Sequence, residues 1–209
     1  MKSLAASLLA IGVGVFVLLA VTMRNGSSAE TRVDRADSPQ QRDGTSVNRV
    51  PLKLPLIEPR IVVSKGNRQL TLYSRGDIVR VYRVGLGFNP KDDKRTQGDG
   101  CTPEGDFYVC SRNPKSNYYL SLGLSYPNSE DAERGLRDGL ISRAQRDLIV
   151  RAINARGVPP WDTKLGGEIF IHGNGSASDW TLGCVALDDP DMKELFDVIE
   201  RGTPVTIKP

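Results

Sequence analysis

His172, the only histidine of the chain, stands twelve residues ahead of Cys184 in the stretch IFIHGNGSASDWTLGCVAL. A cysteine attacks well only as thiolate, and a neighbouring imidazole is the usual means of removing its proton near neutral pH. With one imidazole in the sequence, any Cys–His chemistry has to use it. The run Glu168–His172 reads as a strand, which would put the ring at a strand end, and the loop Gly173–Leu182 would bring Cys184 back to face it. Gly183 leaves open a place where a substrate backbone could approach. Thr181 and the Cys184 amide offer polar contacts to a developing oxyanion. A structural cysteine among Leu182, Val185 and Leu187 explains the residue type equally well. Metal ligation is the weaker alternative, because one His and one Cys fall short of the three protein ligands of a zinc site, although Asp179 and Asp188 could contribute. No metal and no cofactor are expected.

The elements that would carry these residues are mainly strands. Arg60–Lys65, Arg68–Tyr73 and Ile78–Val84 are rich in β-branched residues at period two, separated by turn signals at Lys65-Gly-Asn and Ser74-Arg-Gly-Asp. Asn89–Gly100 is polar and reads as a loop. Strand character resumes at Gly105–Cys110, and Thr203–Ile207 closes the chain as a short strand. Two helices are predicted. The first has apolar positions at 141, 144, 148, 149, 152 and 153, with Ser142 and Gln145 as a capping box and Gly157-Val-Pro as the stop. The second has Asp189 as cap, Pro190 at its first position, a buried stripe of Met192, Leu195, Phe196 and Ile199, and Gly202 at its end. The expectation is a mainly β domain with one or two packed helices.

The 209 residues allow one sizeable domain plus extra segments, and a net charge of +3, dispersed along the chain, gives no argument for nucleic acid. Leu4–Met23 is almost unbroken Leu, Ala, Val, Ile, Gly and Phe. At ~1.5 Å per residue, about 20 apolar residues span a bilayer as a helix. Residues 1–24 therefore read as a membrane anchor or a signal, the uncleaved transmembrane helix being preferred over cleavage near Ser27-Ser28-Ala29. Residues 25–56, rich in Ser, Asp, Arg, Gln and Gly, read as a disordered tether. The globular part is expected over residues 57–208. Either reading of the N-terminus carries it across a membrane.

Three cysteines in an exported chain leave at least one unpaired. Cys101 with Cys110 is the obvious pair. An extended run between them at ~3.3 Å per residue would hold their Cα atoms beyond the ~7 Å reach of a disulfide unless Thr102-Pro103-Glu104 folds sharply. Cys110 reads better as a small core residue.

HG, a variable loop, a hydroxyl residue, one spacer and GC together resemble the signature of the L,D-transpeptidase catalytic domain (the YkuD-like family). IVVSKGNRQLTLY resembles that family's opening hairpin, and GDGCTPEGDFYV its G-x-x-TP-x-G-x-[FY] segment, so the resemblance runs from about Ile57 to Ile207. It implies a β-sandwich with a few helices, acting on peptidoglycan stem peptides in the bacterial cell envelope. Cys184 would be the nucleophile and His172 the proton acceptor and donor. The Gly173 carbonyl would orient the imidazole, and the Gly183 and Cys184 amides would serve the oxyanion. Thr181 stands where the family commonly has Ser, and Ala186 where it has Arg, a residue suited to bidentate binding of substrate carboxylates. Arg112 and Lys115 could replace that charge or be plain surface charges. Trp180 could line the substrate groove or pack half-buried, and Asp179 is read as a loop cap. Tyr118–Pro127 is read as aromatic core packing.

Three functions follow. The first is a membrane-tethered cysteine acyltransferase that cross-links stems or attaches a protein or amine. The second is a hydrolase releasing peptidoglycan-linked peptide or protein, which the Ala186 variant resembles. The third is a non-catalytic wall-binding module.

Overall fold

A computed structural model of the protein describes residues 50–209. Its elements in chain order are β1 (Arg60–Ser64), β2 (Gln69–Ser74), β3 (Asp77–Arg83), β4 (Gly105–Ser116), β5 (Tyr119–Leu124), α1 (Ser129–Arg137), α2 (Arg143–Asn154), β6 (Phe170–His172), β7 (Val185–Ala186), α3 (Asp189–Val198) and β8 (Pro204–Lys208). The strands form one sheet in the order β3-β2-β1-β8-β4-β5-β6-β7. β1 runs parallel to β8 and β6 parallel to β7, and the remaining neighbours are antiparallel.

Alternation decides which side chains enter the core. In β1 and β2, Ile61, Val63, Leu70 and Leu72 point inward while their chain neighbours are partly or fully exposed. They meet Leu122, Leu124, Ile171 and Val185 from the other half of the sheet, and Met192, Leu195 and Ile199 from α3, in a single core. β4 is long enough to pair with β8 through Gly105–Tyr108 and with β5 from Val109 onward, and the β5 pairing is irregular between Val109 and Ser111. The expected sandwich is thus one continuous sheet folded over a common core. Its two ends meet. The residues after β3 pair with β7, Gly85 and Ala186 exchanging both backbone hydrogen bonds at 2.9 and 2.8 Å, and Gly87 bridges Thr181.

The predicted strands and the second-half helices are present, with corrections. Asp188, not Asp189, stands at the N-cap position of α3, though its side chain makes no bond to the helix, and Pro190 lies one residue further in; the helix stops at Val198 rather than at Gly202, because Ile199 is already extended. The Ser142–Gln145 capping box is present at the start of α2, but Leu148 of its expected stripe is exposed. α1, opened by an Asn128–Asp131 capping box, was not expected, and neither was β5. Residues 50–56, expected as the end of the tether, belong to the domain: Leu52 and Leu56 pack against the core and Arg80 donates to the Val50 carbonyl. All three cysteines are free, so Cys101 and Cys110 form no bridge, and Cys110 is a buried core residue as expected.

Among the described residues no helix is long and apolar enough to cross a membrane. The segment Leu4–Met23 lies outside them, as do residues 25–49 of the tether.

The long loop between β3 and β4 is held by two buried lysines. Lys65 donates to Asp92 O, Thr102 O and Glu104 Oε1, and Lys94 to Thr96 O and Asp99 Oδ1. The loop is thereby drawn against the closing seam. At Gly87 a Cβ would stand 2.0 Å from the Gly100 carbonyl oxygen and 3.2 Å from the Gly183 Cα. Gly87→Ala should therefore force backbone against backbone, lowering stability by about 1–3 kcal/mol, as overpacking does. Denaturant unfolding of the full chain checks this, with a shifted midpoint and an unchanged slope as the expected result.

Candidate active site

β6 and β7 are short, but their register fixes the site. Ile171 lies beside Val185 and His172 beside Ala186. Continuing that register one residue back puts Cys184 beside Phe170, two residues before His172. Side chains alternate along a strand, so 170 and 172 share a face, and laterally paired residues share it too. His172 and Cys184 therefore emerge on the same face, separated by ~7 Å along the strands and ~4.8 Å across them. Both line one cleft of about 550 Å³, bounded by the β4–β5 hairpin, the Lys94–Gly98 loop and the Trp180–Leu182 segment.

Within the cleft, the sulfur accepts from the Phe170 amide at 3.4 Å and lies 3.6 Å from the Glu168 carbonyl, toward which it donates. The thiol proton is thus held by a backbone oxygen rather than by the imidazole. His172 is buried, and its Nδ1 lies 2.7 Å from the Gly173 carbonyl oxygen. In the tautomer that donates from Nδ1, Nε2 is left with its lone pair free to accept a proton. Burial lowers the His172 pKa from its ordinary value, although the Gly173 carbonyl opposes the shift. Burial pushes the Cys184 thiol up to about 11. The resting pair is neutral thiol and neutral imidazole.

The loop between the two residues is pinned by carboxylates. Asp179 receives Nε and Nη2 of Arg68 and the Leu86 amide. Asp188 Oδ1 receives the Ser176 amide and hydroxyl, and Asp189 Oδ1 the Asn174 amide. Asp179 is therefore the loop cap that the sequence suggested. It does not join Asp188 in a metal site, since no group of three or more His, Cys, Asp or Glu among the described residues is arranged to hold a metal ion.

Three expectations change. Thr181 borders the cleft, but its hydroxyl accepts from Gly183 N at 3.1 Å and donates to Cys184 O at 2.8 Å. It shapes the turn into Cys184, with its hydroxyl already engaged on both sides. The Gly183 amide, expected at the oxyanion, is held by that hydroxyl. The glycine itself is required by a φ of +127° and by the Cys101 carbonyl, 2.6 Å from where a Cβ would lie. The space it leaves is filled by protein, not by substrate backbone. Tyr118 is no core residue: it is exposed at the hairpin tip and its ring lies 4.7 Å from that of His172. Trp180 meets the imidazole edge-on at 5.6 Å, beside Tyr118 rather than opposite it, since the two aromatic rings lie 5.9 Å apart, and it donates to Gly175 O. Sequence reading missed Tyr118 because nothing in the pattern distinguishes a hairpin-tip tyrosine from a strand one. Arg112 reaches Glu200 and the Phe196 carbonyl, and Lys115 is exposed outside the cleft lining, so neither replaces the arginine absent at Ala186.

The model of the L,D-transpeptidase catalytic domain (YkuD) matches residues 58–207, well over half of the chain. The chain belongs to the L,D-transpeptidase catalytic-domain family. Among solved structures, the helical cell shape determining protein Pgp2 from Campylobacter jejuni is 20% identical, with 72% of this chain and 47% of that chain covered and a TM-score of 0.50. Bd1075 of Bdellovibrio bacteriovorus is 22% identical over 76% of this chain and 53% of its own, with a TM-score of 0.49. An L,D-transpeptidase from Mycobacterium smegmatis is 11% identical over 73% of this chain and 59% of its own, with a TM-score of 0.44. The chain spans about half the length of these structures, and at such identities the likeness is one of fold. No curated protein matches it.

Two measurements follow from the neutral pair in this L,D-transpeptidase domain. Thiolate absorbance assigned to Cys184 by comparison with Cys184→Ala should grow in near pH 11, with none at neutral pH. If His172 takes the thiol proton it must first be neutral, so the acid limb of Cys184 acylation by a carbapenem should have its midpoint below that of an ordinary histidine. Tyr118→Ala uncovers one face of the imidazole and should move that midpoint upward, whereas Tyr118→Phe should leave it in place.

Proposed function

We propose that this L,D-transpeptidase-family domain is a cysteine acyltransferase acting on peptidoglycan stem peptides through a thioester on Cys184. The observation that carries the reading is the shared face: the thiol and the imidazole line one cleft, with Nδ1 of His172 tied to Gly173 O and Nε2 left for the sulfur's proton.

In this reading substrate entry displaces the thiol from the Glu168 carbonyl toward the imidazole. The Cys184 proton passes to His172 Nε2 as the sulfur attacks the carbonyl carbon between an L-centre and a D-residue. Raising a thiol that rests unionised needs a base acting during attack, which is the task of a neutral imidazole. The negative oxygen that forms is nearest the nucleophile's own amide, and the Gly183 amide joins it by releasing Thr181 Oγ1. The C–N bond then breaks, and His172 returns its proton to the departing amine. An incoming amine loses a proton to His172 as it attacks the thioester, and Cys184 leaves as the thiol. Trp180 and Tyr118 wall the substrate groove and keep water from the ring. The chain acts in the bacterial envelope, held to the membrane by Leu4–Met23 and spaced from it by the polar segment that follows.

The hydrolytic reading differs only in the attacking group, water in place of the amine. Incubating the full chain with sacculi and with tetrapeptide muropeptides, followed by mass spectrometry, separates the two. Cross-linked or amine-exchanged products support transfer, and shortened free products alone would replace transfer by hydrolysis. Cys184→Ala should give no product and no covalent carbapenem adduct. His172→Ala should slow acylation by about 10²–10⁴-fold, the usual contribution of a positioned base. Unchanged turnover in either variant would remove the proposed chemistry, and sacculus binding without any adduct in the wild type would favour a wall-binding module.

A further inference from the structure

The cleft's balance of charge points to a group that the family signature does not name. Two charged residues line it besides His172, namely Lys94 and Glu168. Lys94 is buried, and its ammonium is held by Asp99 Oδ1 at 2.8 Å and Thr96 O at 3.0 Å, so its charge is already matched. Glu168 is exposed, and among the described residues no cation or hydrogen-bond donor meets its carboxylate. The same residue's carbonyl lies 3.6 Å from Cys184 Sγ, so the unmatched charge belongs to the residue that touches the nucleophile. Ala186, fully buried between His172 and Gly85, carries no guanidinium, and Arg112 is engaged with α3. The cleft therefore presents to a ligand a negative group and no free cation.

We infer that Glu168 is a specificity-determining residue that binds a primary ammonium of the substrate beside the acylated sulfur. The inference rests on the acyltransferase reading for the identity of the ligand, but not for the binding itself. A cation placed there would complete an ion pair at the exposed rim of the cleft, with the modest gain of a partly solvated pair. It would also offset a carboxylate that works against ionisation of Cys184, whereas Lys94 works for it. Ligand binding and thiol activation are coupled in this way, since the occupied subsite removes a repulsion that the empty one retains. The ammonium could sit on the acyl donor, as a diamino-acid side chain, or on the incoming acceptor amine.

The test separates these sources and does not require turnover. In the donor arm, calorimetry on full-chain Cys184→Ala compares a stem tetrapeptide with lysine at its third position against the same peptide acetylated on Nε. In the acceptor arm, wild-type chain already acylated by a carbapenem is titrated with 1,5-diaminopentane. Glu168→Gln, made in each background, should weaken one of the two free-amine ligands about fivefold, the size of a partly exposed ion pair, and leave the acetylated peptide unchanged. Glu168→Lys should weaken it further. A loss in the donor arm assigns the subsite to the diamino acid, and a loss in the acceptor arm assigns it to the attacking amine. If Glu168→Gln changes neither affinity, or weakens the free and acetylated peptides alike, the subsite is overturned. Such a failure would leave acylation of wild-type Cys184 by muropeptides intact, so the two readings fail separately.

Discussion

Two parallel strands of three and two residues cannot hold each other in register by their own hydrogen bonds, yet the shared face of His172 and Cys184 depends on that register. A slip of one residue would turn Cys184 to the opposite face from His172. The rest of the domain acts as a clamp on this pair. β6 is held on its other side by β5, and β7 by the Gly85 bridge that closes the sheet. The connection between them is fixed at both ends, by Asp179 to Arg68 and the Leu86 amide near Cys184, and by Asp188 and Asp189 to Ser176 and Asn174 near His172. Asp188 and Asp189 accept two backbone amides that the twelve-residue excursion would otherwise leave unpaired, and Asp179 ties the excursion to the Leu86 amide of the facing segment. Charge-assisted bonds of that kind are stronger than neutral ones. The loop is therefore a rigid bracket, and it places Trp180 against the imidazole as a consequence.

Rigidity alone would give a site of fixed shape; burial decides its protonation. Dehydration acts on the two partners in opposite directions along the pH scale but toward the same outcome, since each loses its charged form: thiolate for Cys184, imidazolium for His172. A pre-formed thiolate–imidazolium pair is thereby disfavoured, so the proposed reaction would move the proton only as the sulfur attacks. The Phe170 amide, which donates to the sulfur, lowers the Cys184 pKa but does not outweigh burial. A nucleophile that rests as a thiol is protected from adventitious alkylation and oxidation, since both proceed through the thiolate.

Much of this architecture was legible in the residues, and the parts that were not share a cause. Strands with one buried face announce themselves by alternation, as β1, β2 and β8 do. β5 does not, because Ser121–Leu124 are all buried and its turn carries Asn117-Tyr-Tyr rather than a glycine signal. α1 has few apolar residues, with Gly135 at a position where a side chain would strike Leu165, so its periodicity is weak and only the Asn128–Asp131 cap marks it. At the site, residue types pointed to the nucleophile and base but not to the tasks of their neighbours. Gly183 and Thr181 read as substrate contacts because glycine and a hydroxyl suit that purpose. In three dimensions the Cys101 carbonyl and the turn's own amide claim them first, and those partners lie far away in sequence or are invisible without a backbone.

That competition also bears on how the oxyanion is served. The Thr181 hydroxyl links the Gly183 amide to the Cys184 carbonyl, tying together the peptide groups at the two ends of the Gly183-Cys184 pair. Any movement of the Gly183 amide toward a substrate oxygen must loosen that link, so substrate entry and reshaping of the turn are mechanically coupled. A serine would make the same two bonds. The extra methyl of threonine adds buried packing and restricts rotation about χ1, which favours the closed arrangement. The substitution of Thr for the family's usual Ser thus keeps the chemistry of the turn while stiffening it, in a site whose other anchors already oppose motion.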